Sequence, residues 1–308
     1  MIDTSPYPLQ PDDRVTSVES LLYFVWEREA IRLARLNGLP RESWTTDPVF
    51  GKYKFTNIRR RDDRVSQWVV RNLVQPLRRD RDLWFTLLVA RIVNWPPTLE
   101  KLLYEEVIPC SPEAFNPREF ERVIEQFKRE SEKVYSGAYM IYPTKLEPGG
   151  SKSRSIARHI IGDVVKRAED ISYALWRKDC EPSVERFVGA LAQAYGVSTF
   201  MAGQVAADLT YAPGHLDSAE DLYTWAPMGP GSLRGLNYLH GRSPYAGWAQ
   251  VEFNSALQQL NSRIRDELQI TDLTLHDVQN IMCEFSKYCR ARLGEGKPKT
   301  IYNPETEF

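Results

Sequence analysis

Residues 82–95 read DLWFTLLVARIVNW, a segment whose apolar side chains would fall on every side of the helix it forms. A helix with one apolar stripe can lie on a surface, whereas a helix that is apolar all round has to be covered on all sides. The chain must therefore supply enough further helices to enclose this one. At 308 residues, with 42% hydrophobic residues, it has the length and the core material to do so. Charged residues at 26% and a net charge of −1 are those of an ordinary globular protein, and no global basicity advertises a nucleic acid. No apolar run approaches a membrane span, so no membrane partner is expected.

The enclosing helices are well marked. Thr16 and Glu19 predict a capping box ahead of LLYFVW, with Asn37-Gly38 and Pro40 as the stop. Val65, Trp68, Val69 and Leu73 recur at helical spacing after Asp62 or Asp63, and Asn116-Pro117 opens a helix toward Glu132. Further helices are expected over 153–178, 183–195, 198–211, 246–268 and 274–293, the last stopped by Gly294. GAYMIYPTK, from Gly137 to Lys145, reads as a strand, half of a small hairpin. The Pro/Gly/Ser stretch Pro143–Ser155 is the candidate hinge, separating an N-terminal helical region (1–145) from a C-terminal one (146–308) within one two-lobed body. The expectation is a mainly α fold with a minor β element.

Several chemistries lose their support. Cys110, Cys180, Cys283 and Cys289 lack metal-type spacing, and the four histidines form no HxxxH or HxE…CxxC pattern, so a zinc enzyme is not expected. Without a signal peptide at the start, the cysteines read as reduced thiols of a cytoplasmic protein. PGGSKSRS, Pro148–Ser155, has the wrong glycine spacing for a phosphate loop, which removes the main support for ATP hydrolysis.

Positive charge is nevertheless clustered. Residues 57–81 hold eight arginines against three aspartates, and residues 287–299 hold five basic residues against one acid. These are either two lobes of an anion-binding surface or solvated faces. In KFTNIRRRDDRVSQW, Asn57, Arg59 and Arg60 could line a mouth that grips phosphate oxygens, or form a charged helix entry with Arg/Asp pairs. In AGQVAADLTYA, Gln204 and Asp208 share a face apart from the Met201–Val205–Leu209 stripe. Asp208 is either a base with a raised pKa or a structural cap or ion-pair partner. In the last helix Val278, Ile281, Met282, Phe285 and Cys289 form the buried stripe. Asp277, Asn280, Glu284 and Lys287 share the opposite face, either solvated or fit for a zwitterion or diphosphate. WAPMGPGSLRGLNYLHG, Trp225–Gly241, places Gly229, Gly231 and Gly235 where the backbone turns or approaches something closely, with Ser232 as a cap. Its N–H groups could cradle a phosphate, or the segment could be a tight connection between helices that binds nothing.

FTNIRRRDDRVSQW, GQVAADL, GPGSLRGLN and DVQNIMCEFSKYCR…GEGKPK together resemble the phage α-glutamyl/putrescinyl-thymine pyrophosphorylases. They are also similar to the helical domain beside the kinase in phage 5-hydroxymethyluracil DNA kinases, and the resemblance runs from about Tyr53 to Tyr302. It implies a fold related to helix-hairpin-helix DNA glycosylases, with base flipping out of double-stranded phage DNA in an infected bacterial host. It further implies a transferase that displaces pyrophosphate from 5-(pyrophosphoryloxymethyl)uracil with an amino acid or polyamine. Asp208 first and Glu284 second would take the amine proton, with Lys287, Arg59 and Arg60 neutralising pyrophosphate and Asn57, Gln204, Asp277 and Asn280 lining the site. Gly229, Gly231, Ser232, Arg234, Gly235, Lys152 and Arg154 would contact DNA. The stretch after the hairpin holds Glu252 but no aspartate, a departure from the glycosylase pattern that weighs against base excision. The alternatives are a non-catalytic DNA-binding module partnering a hydroxymethyluracil DNA kinase, and a glycosylase using Asp208 or Glu252. No resident cofactor is implied; Mg2+ on the leaving pyrophosphate fits the chemistry but no residue pattern marks it.

Overall fold

A computed structural model describes residues 15–131, 133–137 and 150–296, and every regular element among them is helical. The strand expected over Gly137–Lys145 lies, beyond Gly137, outside the described residues, as does most of the Pro143–Ser155 stretch. Among the described residues no helix is long and apolar enough to cross a membrane. Contacts gather the chain into two compact units, one from residues up to Asp63 together with those from Tyr223 onward, the other Arg64–Leu222. A linear division at residue 145 does not anticipate a unit that draws on both ends of the sequence.

The Arg64–Leu222 unit is built round the apolar segment. Helix Leu83–Val93 has every residue buried, and Asn94 closes it in the left-handed conformation with φ 47°. Its one charge, Arg91, is answered by Asp208 on helix Thr199–Leu209. The guanidinium Nε and Nη2 each donate to a separate carboxylate oxygen at 2.6 Å. Arg91 also donates to Ser66 Oγ at 3.0 Å and to Asn94 Oδ1 at 3.1 Å. Asp208 is fully enclosed, so a fork-to-fork ion pair holds two core helices together. Asn116 caps Pro117–Glu130 through its side-chain oxygen, as the Asn-Pro pair predicts. The expected long helix from Ser153 is two: Lys152–Lys166, with a π-turn at Ile156–Ile161, and Ala168–Leu175 beyond a break at Arg167.

In the other unit, helix Val18–Leu36 is capped by Ser17, which accepts from Ser20 N, so the cap lies one residue past the expected Thr16–Glu19 box. Gly38 stops it at φ +69°. Phe24 from this helix, Phe50, Phe55 and Tyr288 form an aromatic cluster with ring centroids 5.1–6.3 Å apart. Asp47 anchors it, capping helix Pro48–Lys52 through Val49 N at 2.7 Å and accepting the Tyr288 hydroxyl at 2.7 Å. Burial and the Asp47 carboxylate push the Tyr288 phenol well above its ordinary pKa.

The glycine-rich segment has a different purpose from the one expected. The preceding helix ends at Leu209 and the intervening residues form turns, so no hairpin joins two helices here. Helix Pro230–Leu239 starts at Gly229, and Ser232 lies inside its first turn, with its hydroxyl bonded to Gly229 N and O. None of Gly229, Gly231 and Gly235 has positive φ. A Cβ on Gly231 would overlap Cys283 Sγ, and one on Gly235 would overlap the Met282 carbonyl oxygen. Glycine one turn apart, at Gly231 and Gly235, lets this helix press against helix Leu275–Arg292, and that close approach accounts for these two positions. Gly235→Ala should therefore cost the upper part of the ~1–3 kcal/mol typical of overpacking, because its neighbour is backbone and cannot swing aside. Denaturant unfolding of the variant checks this.

Candidate functional site

Helix Leu275–Arg292 presents two faces, and both are covered within its own unit. Its apolar stripe, Val278, Ile281, Met282, Phe285 and Cys289, is in the core as the spacing predicts. The polar row is not solvated either: the segment Thr56–Asp63 lies along it. Arg60 N donates to Asp277 Oδ1 at 2.8 Å, Asn280 Nδ2 to Thr56 Oγ1 at 3.0 Å, and Thr56 N to Glu284 Oε2 at 3.3 Å. Lys287 Nζ donates to the other oxygen of Glu284. The row thus binds an extended stretch of chain from far away in the sequence, and Glu284 with Lys287 closes its end.

Each member has its reason for being there. Asp277 is the third residue of the helix and completes a capping box with Thr274, its Oδ2 accepting Thr274 N at 3.0 Å and Oγ1 at 2.9 Å. Both its oxygens are used, so it tethers and caps, and the expected substrate contact at Asp277 is replaced by that role. Burial raises the Asp277 carboxyl pKa, against the backbone N–H groups of Arg60 and Thr274. Arg59 is engaged by carboxylates of the protein itself. It donates twice to Asp272 at 2.8 Å and once to Glu29 at 2.8 Å, and Arg61 shares Asp272. Two carboxylates, those of Glu29 and Asp272, thus pair with Arg59 and Arg61 of this arginine run, while Asp62 pairs with Arg32. Asn57 is held on both sides, donating to Asp62 O at 2.7 Å and accepting from Arg28 Nη2.

Arg28, Asp63 and Thr56 belong to this arrangement and were not singled out from the sequence. Arg28 is buried on the first helix and donates from Nε to Thr56 O at 3.0 Å and Phe55 O at 3.3 Å. Asp63 accepts Asn57 N at 2.8 Å. Burial raises the Asp63 carboxyl to about 6, against the pull of the Asn57 N–H, Arg60 and Arg28. At Lys287 burial works to lower the ammonium, but Glu284 and Cys283 beside it outweigh that and raise it, so the lysine stays charged. A signal for Arg28 existed: EREAIR carries charge into the apolar side of a helix, where a buried partner is required.

The remaining expected residues are elsewhere. Gln204 and Asp208 are buried inside the Arg64–Leu222 unit, and the Arg91 pair identifies Asp208 as a structural residue, not an accessible base. Lys152 lies over the Tyr135 ring at 4.4 Å, and Arg154 pairs with Glu121 at 2.8 Å, both in that unit. Gly231 and Gly235 serve the helix packing described above, Gly229 and Ser232 form the start of that helix, and Arg234 sits over the Tyr245 ring at 5.7 Å.

His276, next to Asp277, is buried beside the Trp225 ring, 6.4 Å between centroids, and burial lowers it to about 3. A depressed histidine contributes stability above its unfolded value of 6.5 that is lost as pH falls toward 3. Asp63 works the other way: its contribution is full below 3.8 and lost as pH rises through about 6. His276→Phe should flatten the acid limb of stability against pH, and Asp63→Asn should steepen it, as read by thermal unfolding from about pH 4 to pH 7.

Residues 16–298 match the family described as the helical domain of 5-hmdU DNA kinases. The chain belongs to that family. A 5-hmdU DNA kinase of Bacillus phage SP10 is 25% identical over 291 residues, taking in 87% of this chain and 44% of the phage kinase. The chain therefore spans less than half the length of that relative. No solved structure matches it. The helical-domain family covers the whole polar row and the segment laid along it, as well as the glycine helix behind them.

Proposed function

We propose that this helical domain acts in the modification of 5-hydroxymethyluracil in phage DNA, and that its chemistry is transfer of an amine to the modified base. Membership of the kinase helical-domain family supports the first part. The Glu284–Lys287 pair at the end of the polar row carries the second. Glu284 is a buried carboxylate paired with the half-exposed Lys287. An incoming pyrophosphate would compete for Lys287 and leave Glu284 with proton-accepting capacity. The amine nitrogen then bonds to the 5-methylene carbon, the carbon–oxygen bond to pyrophosphate breaks with its electron pair, and Glu284 takes the proton lost by nitrogen. Lys287, with Arg60 behind it, neutralises the charge on the leaving group. Asn57 and Asn280 position the Thr56–Asn57 backbone beside it. Magnesium on pyrophosphate would assist in the same sense, and a hydroxymethyluracil DNA kinase would prepare the phosphorylated base.

DNA contacts in this reading come from Lys152, Arg154 and Arg234. Surface pairs such as Arg154–Glu121 are weak enough to be exchanged for a phosphate. The reading is tested by following pyrophosphate released from DNA carrying 5-(pyrophosphoryloxymethyl)uracil. Release that requires both the protein and an added amino acid or polyamine supports it. Release with no dependence on amine would point to hydrolysis, and none at all would leave a binding domain.

A further inference from the structure

A cavity of about 360 Å³ lies within the unit that holds the polar row, between the second half of helix Val18–Leu36, the turn at 41–45 and residues 50–55. Its walls are aromatic: Trp44, Phe50, Tyr53 and Phe55. Phe50 and Phe55 are braced from behind by Phe24 and Tyr288, so this wall is rigid. Among the described residues Arg28, Arg35, Arg41 and Glu42 also line it. Arg28 is only 6% exposed, and its Nη1 is buried with no hydrogen-bond partner among the described residues. A guanidinium so placed calls for an acceptor from outside the fold. The Arg35 guanidinium stands 5.4 Å from the Trp44 ring centre, which orders both at one side of the cavity.

Aromatic walls favour a flat ring that can stack, arginine forks favour carbonyl and phosphate oxygens, and the volume is that of one small ligand. We propose that this cavity binds the base of a single pyrimidine nucleotide, with its ring against the aromatic wall and its carbonyl edge on Arg28. The choice of a uracil-type ring rests on the function proposed above; the flat, acceptor-bearing character of the ligand rests on the cavity alone. Arg28 is also the link to the reacting groups, since it holds Asn57 and the Thr56 carbonyl while Thr56 N bonds Glu284. A ligand drawing on Arg28 Nη1 is thus one backbone segment from the Glu284–Lys287 pair.

Gly51 provides a clean test. It lines the cavity, its φ is not positive, and a Cβ built on it meets nothing within 4 Å, so Gly51→Leu should fill the space without disturbing the fold. Two probes separate the sources of the nucleotide: free 5-hydroxymethyl-dUMP, and a duplex with one 5-hydroxymethyluracil beside 2-aminopurine, which brightens when its neighbour leaves the stack. We expect the wild-type chain to bind at least one probe. Gly51→Leu should weaken that binding about tenfold or more while thermal unfolding is unchanged, and Trp44→Ala should weaken it as much per folded molecule. Binding of the free nucleotide without duplex brightening identifies a free-nucleotide site; brightening identifies an extrahelical base. Wild-type affinity in both variants, or no binding of either probe by the wild-type chain, would overturn the proposal. The readout is binding, so absence of amine transfer leaves it intact.

Discussion

Asp208→Ala should destabilise the protein by about 3–5 kcal/mol, the cost of leaving a buried charge without its partner. The size follows from geometry. Arg91 is enclosed in a helix with no other charge, and Asp208 accepts two hydrogen bonds from it, each at 2.6 Å. Without the carboxylate the guanidinium loses its buried counter-charge, which neutral acceptors such as Ser66 and Asn94 do not replace. Against a total stability of roughly 5–15 kcal/mol, that loss would leave a large unfolded fraction on mild heating. Asp208→Asn retains one acceptor and should fall in between. In both variants turnover per folded molecule should be nearly unchanged, which separates a structural aspartate from a base when unfolding and rate are measured on one preparation.

Glu284→Gln should do the reverse. The amide keeps the shape and can still accept from Thr56 N, so the fold should survive, while amine transfer falls by about 10²–10⁴-fold because the side chain can no longer take a proton. The deficit should shrink on going from about pH 7 to about pH 9, since an α-amino group with a pKa near 8 then arrives already neutral. A deficit equal at both pH values would mean that Glu284 acts only by holding Thr56 and Lys287. Lys287→Ala should lose rate with little pH dependence, through its charge on the leaving group.

Local signals in the sequence were legible where one helix turn decides them. Asn116 caps its helix as expected, helices begin beside Ser183, Ser198 and Thr274 where they were expected to start, and residues 83–93 are buried on every side as their composition requires. The polar row Asp277–Asn280–Glu284–Lys287 was also visible as a face. What covers it was not, because Thr56–Arg60 comes from more than 200 residues away and nothing in either segment's spacing names the other. The glycines announced close approach but not its object, which the structure identifies as Met282 and Cys283. The Arg91–Asp208 pair could have been read: two lone opposite charges in apolar helices have few other places to go. Treating Asp208 alone, without asking which cation it answers, is what made it resemble a base.

The most direct test of the functional account is the mass of the nucleosides digested from DNA that carries 5-(pyrophosphoryloxymethyl)uracil, after incubation with this protein and a mixture of amino acids and polyamines. The account predicts a thymidine nucleoside with an amine in place of pyrophosphate, formed by the wild-type chain and by folded Asp208→Asn but not at a comparable rate by Glu284→Gln. Abasic sites, or substrate nucleosides recovered unchanged with the wild-type chain, would contradict it.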